Sequence, residues 1–210
     1  MKPTSRLLAL PVILALAAPA LAQQNDSAQT GTAPAADGQA AGEAPAPAAP
    51  AAAPDGIGEP YVAETHGDWQ VRCIRTADGA DPCQLYQLLL EPESQKPFAE
   101  ISLVTLEGVK EAVAGATIIV PLETLLTQPL SLVVDGGQAR RYPYVFCADI
   151  GCYARAGLTA ADIEAFKKGK VATLTVVPAA KPDQKVSVNV SLKGFTAGYE
   201  AVAKLNAAGR

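Results

Sequence analysis

The sequence is poor in histidine, in aromatic residues and in charge. Its 210 residues include one histidine, and 5% are aromatic and 18% charged. A single histidine excludes any site that needs several imidazoles. The formal net charge of −4 provides no basic surface field, so nucleic acid is not expected as a partner. Beyond the N-terminus no apolar run is long enough to span a membrane, so no membrane span is expected.

Sequence motifs of catalysis are also missing. There is no G-x-S-x-G, no H-E-x-x-H and no phosphate-binding glycine loop. His66 lies close to Asp68, but no nucleophile with a recognisable context accompanies them, so we interpret His66 as a solvated loop residue. Glu91 and Glu93 bracket Pro92, which favours loop solvation over a glycosidase pair. The sequence therefore predicts no catalytic residue, no metal site and no cofactor.

The N-terminus has the pattern of a secretory signal. Lys2 and Arg6 precede an apolar stretch over residues 7–18, and Ala20-Leu21-Ala22 is a small-x-small cleavage pattern. The alternative is a membrane anchor, but the stretch is short and a polar segment follows at once. We expect residues 1–22 to be a signal peptide cleaved after Ala22. This places the protein in the periplasm or, if secreted, at the cell surface.

Residues 23–60 form a low-complexity segment dominated by alanine and proline. Ile57 is its one large apolar residue, so the segment cannot bury enough surface to offset the entropy of ordering. We expect a disordered linker that is partly polyproline II. It could be a neutral tail or a tether that carries the domain away from a surface. The lack of a visible anchor favours the tail.

Residues 61–210 have the pattern of a β domain. Trp69–Ile74 alternates apolar and polar residues with period two, as a half-buried strand does. Asp135-Gly136 is typical of a type I′ hairpin, whose returning strand would be Tyr142–Phe146. Further strand-like runs cover residues 84–90, 98–106, 116–120, 130–134, 171–177 and 186–192. Their number and spacing predict an all-β fold, mainly an antiparallel β-sandwich or a barrel-like sheet.

One short helix interrupts this β pattern. Thr159-Ala160-Ala161-Asp162 resembles a capping box with aspartate in place of the usual glutamate. Lys167 and Lys168 complement the C-terminal end of the helix dipole, and Gly169 is a suitable stop. We interpret the helix as structural.

Four cysteines in an exported chain imply two disulfides, for which three pairings are possible. The turn-rich stretch between Cys73 and Cys83, and the short loop between Cys147 and Cys152, favour local pairing. A zinc site is the first alternative, but Cys73 and Cys83 are far apart for a zinc knuckle. Redox catalysis is the second, but no Cys-x-x-Cys occurs.

The densest polar and aromatic segment is Arg140-Arg141-Tyr142-Pro143-Tyr144. Arginine and tyrosine are enriched at binding hot spots. Alternatively, the arginines solvate a hairpin while the tyrosines pack across strands. If the following hairpin forms, two residues beyond Cys152 extend the same surface. The candidate contact surface consists of Arg140, Arg141, Tyr142, Tyr144, Tyr153 and Arg155.

Five segments, in this order, resemble the invasion-associated locus B family of exported bacterial proteins. They are Gly67-Asp68-Trp69-Gln70-Val71-Arg72-Cys73, Cys83-Gln84-Leu85, residues 129–137, residues 147–154 and Ser191-Leu192-Lys193-Gly194-Phe195. The resemblance implies a β-rich domain of the periplasm or cell surface without a known cofactor. The family name reflects a role of some members in host-cell invasion, and it supplies no catalytic residue.

These observations favour an exported, non-enzymatic interaction module. It would present loops and strand edges to a protein or an envelope glycan, with host-cell association or invasion as the role that the resemblance implies. One alternative is an envelope hydrolase whose site is built from acids and tyrosines. Another is a periplasmic folding or stress factor that binds exposed strands by edge addition.

Overall fold

The computed structural model describes residues 56–209, which fold into two antiparallel sheets and two helices. The predicted signal peptide and residues 23–55 of the predicted linker lie outside the described residues. Neither helix in the described range is long and apolar enough to cross a membrane. The elements are β1 (Pro60–His66), β2 (Trp69–Ile74), β3 (Cys83–Leu90), β4 (Pro97–Thr105), β5 (Ala114–Val120), β6 (Leu130–Val134), β7 (Arg140–Tyr142), β8 (Tyr144–Ala148), β9 (Gly151–Leu158), α1 (Ala160–Lys168), β10 (Val171–Val176), β11 (Val186–Ser191) and α2 (Phe195–Ala208).

The larger sheet has seven strands in the order β1-β2-β3-β4-β5-β9-β8, and the smaller has four in the order β11-β10-β6-β7. Buried and less buried residues alternate along the strands, which explains how the two sheets share one core. Trp69, Val71 and Cys73 of β2 are buried while the residues between them are not, and β4, β5 and β10 alternate in the same way, so these strands each offer one apolar face. The apolar faces of both sheets and the two helices share one hydrophobic core. The mainly antiparallel β fold predicted from the sequence is confirmed.

Phe195, the first residue of α2, lies at the junction of this core. Its ring centroid is 5.4 Å from that of Trp69 on β2 and 5.2 Å from that of Phe166 on α1, both in edge-to-face geometry. It also stacks on Tyr199 one turn further along α2. Edge-to-face pairs place the positive ring edge on the negative ring face, so these contacts add to the burial of apolar area.

Helix α1 begins as predicted. The Thr159 hydroxyl accepts from the Asp162 N–H, and the Asp162 carboxylate accepts from the Thr159 N–H, which completes the capping box. Gly169 ends the helix in an extended conformation. A Cβ at Gly169 would lie 2.7 Å from the Leu192 side chain, so close packing is the reason for glycine here.

The described range contains a second helix, α2, which the sequence did not predict. Its N-cap is Gly194, which has a φ of +88° and makes no side-chain hydrogen bond to the helix. The serine, threonine or aspartate that usually marks a helix start is therefore absent. Glycine is required here because a Cβ would collide with the backbone oxygen of His66.

The predicted returning strand, Tyr142–Phe146, is wrong in its bounds. Asp135 and Gly136 both have positive φ, as a type I′ turn requires, but the strand that returns beside β6 is β7. The chain then crosses at Pro143 into the other sheet, where β8 pairs with β9. Proline has no N–H for a ladder, so it separates the two strands.

Two disulfides close neighbouring strands, in the local pairing that the spacing favoured. Cys73 and Cys83 are register partners on β2 and β3, and Cys147 and Cys152 are register partners on β8 and β9. Cys73 and Cys83 are both buried in the core, whereas Cys147 of the second disulfide is exposed.

The two sheets are joined by the buried amide of Gln87 on β3. Its Nε2 donates to the carbonyl of Ser191 at 3.0 Å and to that of Asp68 at 3.2 Å, and its Oε1 accepts from the Ser191 N–H at 2.9 Å. The Trp69 indole N–H also donates to the Ser191 carbonyl, at 2.8 Å. The end of β11 in the smaller sheet is thus held by side chains from the larger one.

We expect Gln87→Ala to lower the free energy of unfolding by about 2–4 kcal/mol. The change removes the partner of the half-buried Ser191 N–H and opens a cavity at the buried Gln87 position. Urea denaturation provides the measurement. Gln84→Ala, on the outer face of the same strand, is the matched control and should stay within about 0.5 kcal/mol of the parent. Equal stability of the two variants would contradict this role.

Replacing each cysteine pair by serine should destabilise the domain by about 2–3 kcal/mol, the entropy of closing loops of this length. The Cys73/Cys83 variant should lose more than the Cys147/Cys152 variant, because it also places two hydroxyls in the core. Denaturation of both double variants in urea tests the order. The reverse order would show that the buried bridge is not the more important one.

Candidate functional site

The polar residues that could have formed a catalytic group are held apart. His66 Nε2 lies 2.7 Å from Glu64 Oε2, so its partner is not Asp68. Asp68 instead accepts a hydrogen bond from the Ser191 hydroxyl at 2.6 Å. A serine that donates to a carboxylate, with the imidazole bound elsewhere, does not have the nucleophile–base–acid order of a catalytic triad.

The paired acids Glu91 and Glu93 lie in the connection between β3 and β4. The Glu91 carboxylate accepts from the Ser94 hydroxyl, and its backbone carbonyl accepts from the Gln95 N–H at 2.9 Å. These are bonds within a turn. Within residues 56–209, no group of three or more His, Cys, Asp or Glu side chains has a metal-binding arrangement.

The structure divides the six residues of the candidate contact surface among different surfaces. Arg140 and Arg141 are neighbours on β7 and point to opposite faces of the smaller sheet. Tyr142 and Tyr144 stand on either side of Pro143, and each packs against the core. Tyr153 and Arg155 lie on the outer face of β9. No one ligand can therefore contact all six through a single patch.

Arg140 and Tyr142 border a cleft between the β6–β7 hairpin and α1. The Arg140 guanidinium contacts Asp162 at 2.9 Å, and the cleft encloses about 230 Å³. Burial, assisted by the charge of Asp162, raises the pKa of Tyr142 above its ordinary value. Burial also opposes ionisation of Asp162, but the hydrogen bonds from Thr159 and the charge of Arg140 outweigh it, so the pKa of Asp162 is lowered.

Tyr144 faces inward at the start of β8, opposite Ala154. Its hydroxyl is buried and has no hydrogen-bond partner among residues 56–209, and burial raises the pKa of Tyr144 to about 12. The hydroxyl is neutral at physiological pH. Tyr144 is thus a packing residue, as in the structural alternative considered for this segment.

The hairpin formed by β8 and β9 carries an exposed apolar surface. Phe146 stacks on Tyr153 with ring centroids 4.4 Å apart, and the Arg155 guanidinium carbon lies 5.9 Å from the Phe146 centroid. Val145 and Ile150 are 58% and 69% exposed, and Phe146 is 43% exposed. The Cys147–Cys152 disulfide closes the hairpin beside them. We call Val145, Phe146, Ile150, Tyr153 and Arg155 the hairpin surface.

Three members of the hairpin surface were missed in the sequence. Val145 and Phe146 were assigned to a strand and Ile150 to a loop, and their exposure was not foreseen. A signal existed, because the apolar Ile150 stands at a turn beside a disulfide, where burial is difficult.

Comparison with known proteins identifies the family of this domain. Residues 69–203 match the sequence profile described as Invasion associated locus B (IalB) protein. The chain belongs to the invasion-associated locus B family. It is 27% identical over 148 residues to invasion protein B homologs of Brucella abortus strain 2308 and of B. abortus biovar 1 strain 9-941. Each alignment covers 70% of this chain and 83% of the relative.

A solved structure shares the IalB fold. The crystal structure of invasion associated protein B from Bartonella henselae superposes with a TM-score of 0.60 at 21% identity, over 70% of this chain and 98% of that one. Both disulfides and the hairpin surface fall within the matched residues 69–203.

The first and last segments of the IalB resemblance meet in space. The Asp68 N–H donates to the Lys193 carbonyl at 3.1 Å, and a Cβ at Gly67 would lie 2.5 Å from that same oxygen. Because Gly67 has no Cβ, the backbone at Lys193 can approach it closely. In this chain the two segments dock the β1–β2 turn on the β11–α2 turn, which is a structural role.

Asp162→Ala should lower the free energy of unfolding at pH 7 by about 1–2 kcal/mol, since it removes the acceptor of the capping box and the partner of Arg140. The stabilisation arises from a lowered pKa. It is therefore present above the unfolded value, about pH 4, and is lost as pH falls through the folded value. The variant should lose less stability than the parent between pH 7 and pH 3.

Urea denaturation at the two pH values measures this difference. Glu93→Ala, at an exposed carboxylate that has no ion pair among residues 56–209, is the control, and it should follow the pH dependence of the parent. An unchanged pH dependence in Asp162→Ala would refute the assignment.

Proposed function

We propose that this protein is an exported, non-enzymatic interaction module, which binds a partner protein through the hairpin surface. The observation that carries the proposal is the exposure of Val145, Phe146 and Ile150 on a hairpin closed by a disulfide. Large apolar side chains that are exposed together, and not singly, mark interaction sites. Tyr153 and Arg155 add the residue types that dominate binding hot spots.

Rigidity supports the same proposal. Phe146 is fixed by stacking on Tyr153, and the strands that carry the two rings are joined by Cys147–Cys152. A side chain that is already ordered loses little conformational entropy on binding. The surface is thus organised before its partner arrives.

Export is supported by the cysteines. Two disulfides close within the described residues, and disulfides persist in oxidising compartments such as the periplasm and the cell surface. Together with the predicted signal peptide, residues 1–22, they support a location outside the cytoplasm. The relatives in Brucella abortus are invasion protein B homologs. We therefore propose host-cell association as the role of the hairpin surface.

The free edge of β8 favours a second candidate, a periplasmic folding or stress factor. β8 is the last strand of its sheet and pairs with β9 alone among the described strands. An extended segment of another protein could add to it as a further strand. Such binding depends on main-chain hydrogen bonds, so it would protect the amides of residues 144–148 from hydrogen exchange and would tolerate changes to Phe146.

The double variant Phe146→Ala/Ile150→Ser should weaken binding of the labelled protein to host cells at least tenfold, because it removes two anchors from the hairpin surface. Flow cytometry over a concentration series gives the apparent affinity. Val109→Ser is the matched control, an equally exposed apolar residue at the other end of the sheet, and should bind as the parent does.

His66→Ala should also retain full binding, because no imidazole chemistry is involved. Loss of binding in His66→Ala would contradict the non-enzymatic proposal. Retained binding in the double variant, together with protection of residues 144–148 by unfolded exported proteins, would favour the folding factor instead.

A further inference from the structure

The outer face of the smaller sheet carries a polar row that crosses all four strands. Arg141 on β7 is the register partner of Ser131 on β6, Ser131 is the partner of Thr175 on β10, and Thr175 is the partner of Ser187 on β11. The Thr175 and Ser187 hydroxyls are hydrogen-bonded at 2.8 Å. Register partners share a face, so the row is continuous from one edge of the sheet to the other.

This polar row lies in an open depression of about 380 Å³. Lys185, two residues before Ser187, also lines it and adds a second positive charge on the β11 side. β7 and β11 are the two edge strands, three strand spacings apart, so the backbones that carry the two cations are separated by about 14 Å. The depression thus has a cation at each side and hydroxyls between them.

Neither cation is neutralised within residues 56–209. Arg140 has an ion pair with Asp162, and Arg72, Arg75 and Arg155 lie over aromatic rings. Arg141 and Lys185 have no ion pair with any residue between 56 and 209, and no described carboxylate lines the depression. Two like charges in a shared concave surface reinforce each other's potential and attract anions.

We infer that this depression binds an acidic saccharide. Its anionic groups would be held by Arg141 and Lys185, while Ser131, Thr175 and Ser187 exchange hydrogen bonds with sugar hydroxyls. One small anion would leave the hydroxyl row unused. A single-stranded nucleic acid would use aromatic side chains to stack its bases, and none lines the depression among the described residues.

This inference is independent of the hairpin surface, because the residues lie on the other sheet. It also does not depend on the host-cell role. A sulfated glycan of a host surface and a phosphorylated glycan of the bacterial envelope offer the same chemistry. Two arms of the experiment distinguish these sources.

The test uses the full chain and titration calorimetry at low salt. The probes are a heparin-derived hexasaccharide, a phosphorylated lipopolysaccharide core oligosaccharide, neutral dextran oligosaccharide and polyglutamate. We expect binding to at least one acidic saccharide, with the tighter of the two identifying the source, and none to dextran. Binding to neither acidic saccharide, or equally tight binding to polyglutamate, would overturn the inference.

Arg141→Ala/Lys185→Ala should weaken saccharide binding at least tenfold, since charge-assisted hydrogen bonds are the strong ones. Arg141→Lys/Lys185→Arg, which keeps both charges, should restore most of the affinity. Thr175→Val keeps the shape of the row and removes one hydroxyl, so it should cost about threefold. Lys181→Ala, an exposed lysine in the preceding loop that does not line the depression, is the control. Equal losses in Lys181→Ala and in the double variant would reduce the effect to net charge and refute the site.

Discussion

The relation between the two sheets depends on the buried amide of Gln87, which links β3 of the larger sheet to the end of β11 in the smaller one. Its three hydrogen bonds, with the indole N–H of Trp69, hold the backbone of Ser191 at the end of β11. Apolar contacts alone would let two sheets slide, because burial is not directional. The amide fixes their register. That register delivers Phe195 to its place beside Trp69 and Phe166, where α2 can begin.

Both proposed binding surfaces follow from this closure. The inner faces of both sheets are buried in the core, so a partner can contact only the outer faces and the edges of the sheets. A single residue, Pro143, sends the chain from one sheet to the other, so Arg141 and Phe146 belong to different surfaces although they are five positions apart. The two proposed surfaces therefore do not overlap.

The sequence predicts those elements whose local chemistry decides their structure. β2 has strict alternation with large residues, and α1 has a reciprocal cap, so both are recognisable. β9 buries small residues such as Ala154 and Ala156, which give little hydrophobic signal, and β1 is a mostly exposed edge. The start of α2 is decided by a distant close approach, that of Gly194 to His66. Contact surfaces were hardest to foresee, since the face that a side chain takes beyond Pro143 depends on which sheet the strand joins.

The position of Cys147–Cys152 near the tip of its hairpin has a mechanical consequence. A load applied to β8 alone would peel this edge strand from β9 by breaking one pair of hydrogen bonds after another. The disulfide prevents peeling from the tip, because it passes the load from Cys147 directly to Cys152 on β9. A pull on the hairpin surface is therefore carried by two strands of the sheet and not by the edge strand alone.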